Sequence, residues 1–148
     1  MAEKSQSGNY LMWVLEPSMM SALDVSPDVP VLVSSMDLTA RRWLLGISEM
    51  FIDGNIRLTG VRLDVRNWES IAFTFHKAAD AKAEPLIQSM DWAGEIGVLA
   101  GFSYDGTDLK AHGYLRDSEY YYCEVTFRNP ELYVEYFDRR EFTPHALP

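Results

Sequence analysis

The chain has 148 residues, 47% of them hydrophobic and 24% charged, which suits a single folded domain over residues 1–148 and excludes a disordered or fibrous chain. Its single cysteine, Cys123, excludes a disulfide-stapled scaffold and a cysteine-rich zinc module. The net charge of -9 repels phosphate backbones and anionic headgroups, so neither nucleic acid nor a membrane is expected as a partner, whereas a basic protein is.

Residues 1–9 are polar and mixed in charge and read, like residues 143–148, as loose tails. Residues 10–15 suit a short strand. The apolar run within it is too short for an export signal or a membrane span, and no run of about eighteen apolar residues occurs elsewhere, which predicts a cytoplasmic protein. Pro17, Pro27 and Pro30 argue against continuous helix or central strand across 16–30, which reads as a loop. Residues 29–34 then suit a strand entered near Pro30.

Residues 37–52 carry two competing periods. Trp43, Ile47 and Met50 recur at helical spacing behind Asp37, a residue suited to cap a helix. Trp43, Leu45, Ile47 and Phe51 also lie on one side of a strand, ahead of the hairpin signal Asp53-Gly54. The balance predicts a helix over 37–46 followed by a strand into the turn.

Beyond that turn the alternation is clean. Ile56 and Leu58 share a face; the phase then shifts at Gly60, and Val61, Leu63 and Val65 continue, which predicts a bulge. After a turn at 67–69, Ile71, Phe73 and Phe75 face one way and Ala72, Thr74 and His76 the other. Residues 77–84 are rich in alanine and charge, and Pro85 suits the first position of a short helix, so this stretch reads as a short helix or an exposed loop. A strand at 95–104, a turn at 105–108 and a returning strand at 109–115 lead to the most regular strand, 119–127. There Tyr121, Cys123, Val125 and Phe127 face one way, and Tyr120, Tyr122, Glu124 and Thr126 the other. A turn containing Pro130 and the alternating residues 132–137 complete a predicted closing hairpin. The whole reads as a β-rich α+β fold: an antiparallel meander sheet of about six to eight strands, curled or sandwich-like, with one or two short helices.

No stretch supplies the glycine spacing of a dinucleotide or phosphate cradle; Gly94, Gly97 and Gly101 read as sites of twist and close packing. His76, His112 and His145 are scattered, and Asp105-Gly106-Thr107-Asp108 lacks the later ligands of a calcium loop, so neither metal nor cofactor is expected. Cys123, on an apolar strand face, reads as a small buried hydrophobe rather than a nucleophile. Asp91 and Glu95 flank Trp92, a weak signal for acid and base work on a sugar.

One constellation stands out. If residues 119–127 and 132–137 pair as a hairpin, Tyr120, Tyr122 and Glu124 share a sheet face with Tyr133, Glu135 and Phe137, making an aromatic and acidic surface. Tyrosine offers a large rigid contact with a polar tip, and surrounding acids complement a basic partner. The expectation is a non-enzymatic acidic binding protein of the inhibitor or immunity type, neutralising a basic partner such as a bacterial toxin. Two other readings are a small enzyme or ligand-binding domain drawing on Cys123, His76, His112, Asp91 and Glu95, and a homo-oligomeric structural subunit. Charge is unevenly spread: residues 39–77 hold a surplus of arginine (Arg41, Arg42, Arg57, Arg62 and Arg66), and the chain on either side is acidic.

Overall fold

The structure, a computed structural model, describes residues 4–7, 10–25, 28–76, 84–86, 95–116 and 121–141. Its strands are β1 (Lys4–Ser7), β2 (Tyr10–Val14), β3 (Leu23–Asp24), β4 (Val29–Asp37), β5 (Arg42–Ile52), β6 (Ile56–Arg66), β7 (Ser70–His76), β8 (Glu84–Leu86), β9 (Glu95–Tyr104), β10 (Asp108–Arg116), β11 (Tyr122–Arg128) and β12 (Glu131–Glu141). All pair antiparallel in one open sheet of order β1-β2-β12-β6-β5-β4-β9-β10-β11-β7-β8, with β3 added beside β5. The antiparallel, β-rich class is as expected, but the strands exceed the six to eight predicted. Among the described residues the only helical element is a 3-10 turn, Pro17–Ala22, which has proline in its first turn.

One predicted helix is a strand. Across 37–52, Asp37 does supply a cap, but its Oδ1 accepts from the backbone N–H of Ala40 (2.8 Å) and closes a tight turn instead of opening a helix. Trp43, Leu45 and Ile47 then alternate into the core as strand β5. At Pro85, where a short helix or an exposed loop is expected, the chain lies in β8, paired with β7; residues 87–90 lie outside the described residues. Near the start, Lys4–Ser7 pairs with β2 and is a strand, not a tail. The predicted loop at 16–30 contributes Met20, Leu23 and Val25 to the core.

The predicted closing hairpin is also replaced. β11 pairs with β10 and β7, while β12 pairs with β6 and β2. The reason lies at one corner, where two connections run side by side. Asn67 joins β6 to β7 and Asn129 joins β11 to β12, and both take left-handed backbone angles (φ 53° and 49°). Their amides cross over: Asn67 Nδ2 donates to Glu131 Oε2 and Asn129 Nδ2 to Glu69 Oε1, each at 3.1 Å. The N–H of Glu69 donates to the carbonyl of Arg128 (2.9 Å). β6–β7 and β11–β12 therefore form one antiparallel ribbon bent at this corner. Asparagine tolerates the left-handed region better than most residues.

Bending brings the buried faces together. Trp43 of β5 stacks on Phe127 of β11 (5.5 Å between ring centres), and Trp68 at the corner packs on the same ring (4.9 Å). Inward residues from both halves of the sheet join a single core cluster.

At Gly60 the phase does shift, with φ 62°. The registers of β6 against β5 and β12 are the same on both sides of it, so no extra residue is present and the predicted bulge is a kink. β5 shifts its burial phase at the same level, which keeps the pairing intact.

Candidate functional site

The six residues expected to form one surface fall into two places. β11 carries Tyr122 and Glu124 on its outward face, and β12 carries Tyr133, Glu135 and Phe137 on the far side of the corner. The two sets are not cross-strand neighbours. Tyr120 lies outside the described residues, as do Asp91, Trp92, Gly94 and His145.

On β12, much of the set is engaged within the fold. The hydroxyl of Tyr133 donates to Glu131 (3.0 Å), and the guanidinium of Arg66 lies over its ring (4.8 Å). Glu135 faces Arg62 across the β6 ladder. Phe137 is 64% exposed and sits against Gly60, where a Cβ would come within 3.0 Å of its own. The arginine surplus of residues 39–77 is likewise offset: Arg42 and Arg66 both hold Asp64, and Arg57 pairs with Glu49 at 2.6 Å.

β11 offers a different setting because it lies between β7 and β10. In register, Tyr122 faces His76 on one side and Tyr114 on the other, and Glu124 faces Thr74 and His112. Alternation puts all six on the outward face, opposite the buried Cys123, Val125 and Phe127. Two diagonal contacts tie the grid together. The Tyr122 hydroxyl is hydrogen-bonded to Nδ1 of His112, and His76 Nε2 lies 3.3 Å from Glu124 Oε2. The Tyr122 ring meets those of His76, Tyr114 and His112 at centre distances of 5.4, 5.4 and 5.6 Å. Tyr121, expected on the inward face with Cys123, instead precedes β11, is exposed, and continues the cluster edge-on to Tyr114 at 5.3 Å.

Glycine makes room for this arrangement. Gly101 of β9 faces His112, and the imidazole occupies the space a Cβ at Gly101 would need. The close packing expected of Gly101 is therefore packing against a site residue. Gly97 is similarly covered by the side chain of Arg116.

The polar groups of the cluster are tied to one another. Burial, reinforced by the charge of Glu124, pushes the Tyr122 phenol up to about 12, so at neutral pH it keeps its proton beside Nδ1 of His112. The carboxylate of Glu124 can only accept, so His76 donates to it. Cys123 does not enter: it is buried on the other face, and burial followed by the charge of Glu124 holds its thiol at about 12. Glu95 opens β9. Among the described residues no group of three or more His, Cys, Asp or Glu is placed to hold a metal ion. No helix among them is long and apolar enough to cross a membrane.

The histidines are what the sequence reading left out of the surface. His76 is legible as an outward residue of its strand, and His112 shares a face with Lys110 and Tyr114. That β7, β11 and β10 lie side by side was not legible. Compared with protein-family models, curated proteins and solved structures, the chain matches none at a significant level.

Proposed function

We propose that this protein is a non-enzymatic binding module, an acidic inhibitor or immunity-type protein that covers the surface of a basic protein partner such as a bacterial toxin. The observation that carries this reading is the Tyr122 platform. Its ring is held by His76, His112 and Tyr114, with the half-exposed Tyr121 (44%) and the open carboxylate of Glu124 beside it. Rigid aromatic contacts lose little entropy on binding, and an adjacent acid favours a Lys- or Arg-bearing partner. With the Tyr122 hydroxyl hydrogen-bonded to His112 and His76 beside Glu124, the cluster presents a fixed surface. The net charge of -9 would speed encounter with a basic protein.

The test is capture by the tagged full chain from the native cell extract, run beside the double variant Tyr122→Ala, Glu124→Lys. One basic protein recovered at near one-to-one ratio, released at high salt and captured more than about tenfold less by the folded variant, is the expected result. Equal capture by a folded variant would move the site elsewhere. Capture unaffected by salt would remove the electrostatic basis of the proposal.

A further inference from the structure

β4 changes partners part-way along. Val29 and Pro30 pair with Leu99 and Val98 of β9, but from Val31 onward the strand pairs only with β5. The register against β5 shifts between Val31 and Val33, which makes Leu32 an extra, bulged residue. At the point of separation Arg116 Nη2 donates to the carbonyl of Val31 (3.2 Å) and closes the gap towards β9. Beyond it, among the described residues, the other edge of β4 has no strand partner over residues 32–37. Leu32 and Val33 on this edge are each 65% exposed.

An unpaired edge is a row of backbone N–H and C=O groups, and its natural complement is another strand. Soluble proteins usually blunt such edges with charge, proline or bulges, and here the bulge at Leu32 leaves the register regular from Val33 to Asp37. This one has no ionisable side chain between Asp28 and Asp37. A basic partner would be recognised by acids, which that stretch lacks. Two copies of a chain of net charge -9 can approach with least repulsion over just such neutral surface.

We infer that the free edge of β4 is a homodimer seam, where residues 32–36 of two copies pair antiparallel and join their sheets. A two-fold axis at Ser34 sets Leu32 opposite Met36 and Val33 opposite Ser35, so no acid faces an acid. Met36, half-buried against the core, gains cover from Leu32 of the second copy. This seam is distinct from the Tyr122 surface and leaves that surface free for the proposed partner.

The experiment is sedimentation velocity of the full chain over a range of concentrations, on wild type and two edge variants. One carries Val33→Lys with Ser35→Lys, the other Val33→Glu with Ser35→Glu. Circular dichroism and thermal melts confirm that each is folded; should either double variant fail to fold, Ser35→Lys and Ser35→Glu alone, at an exposed position, carry the comparison. The wild type is expected to dimerise reversibly. Each variant, with like charges opposed across the seam, should self-associate about tenfold more weakly or worse. Mixing the Lys and Glu variants should restore a dimer. A wild type that remains monomeric, a dimer indifferent to both variants, or a mixture that fails to associate would each overturn the assignment.

Discussion

The thiol of Cys123 faces the core in line with Val125 and Phe127, and its neighbour Glu124 faces solvent. Burial keeps the thiol protonated far above neutral pH, and a protonated thiol is a poor nucleophile. Ellman's reagent at neutral pH should therefore leave Cys123 unmodified in the native protein and label it fully after unfolding in urea. Rapid native labelling would contradict the burial. Asp64 is the opposite case, a carboxylate nearly enclosed on the outward face. Burial alone would raise its pKa, but Arg66 (2.7 and 3.0 Å) and Arg42 (3.0 and 3.2 Å) outweigh that and hold it below the ordinary 3.8. Because the folded-state value is the lower one, the stabilisation is complete above the ordinary value and is lost as pH falls through the folded one. Asp64→Asn should cost about 1–3 kcal/mol near neutral pH. In urea titrations the gap between variant and wild type should close as pH falls below the ordinary aspartate range; a constant gap would mean that packing, not charge, explains the loss.

At the scale of the element, the kink at Gly60 and the turn at Gly54 make a matched pair. Both glycines have positive φ, 62° and 74°. A side chain at Gly54 would meet nothing within 4 Å, whereas one at Gly60 would press on Phe137. Gly54→Ala should cost about 1 kcal/mol from backbone strain alone. Gly60→Ala should cost more, about 2 kcal/mol, with Phe137 displaced; equal losses in denaturant unfolding would show that the kink is not tightened by its neighbour. The same elements show where local signals suffice. Asp53-Gly54 reads as a hairpin turn because two successive residues must take positive φ, and they do. Residues 37–46 mislead because Asp37 caps a turn with the same chemistry that would cap a helix. Trp43, Ile47 and Met50 satisfy a helical stripe only because β5 shifts phase between Ile47 and Met50, with both ends buried.

Across the whole molecule, the acid surplus acts on folding and on binding in opposite senses. Screening relieves the self-repulsion of a chain with net charge -9, and it also weakens attraction to a basic partner. The melting temperature should rise by a few degrees from low to moderate salt while capture of the partner falls. A fall in both would point to internal ion pairs such as Arg57–Glu49 as the dominant charge effect.

Side-chain alternation is a local property, set by the pleat and by which residues can be buried. From it the sequence alone determined the β-rich antiparallel class, the inward Cys123, Val125 and Phe127, and the outward Tyr122, Glu124 and His76. Strand order is not local. That β11 parts from β12 and lies between β7 and β10 rests on the paired asparagine corner, on Trp43 and Trp68 meeting Phe127, and on Gly101 yielding its space to His112. These are contacts between residues far apart in the chain, and their free energy exists only once the ribbon has bent and both halves share a core. Tertiary structure alone therefore decided that the two histidines stand beside Tyr122 and Glu124, and that Tyr133, Glu135 and Phe137 do not.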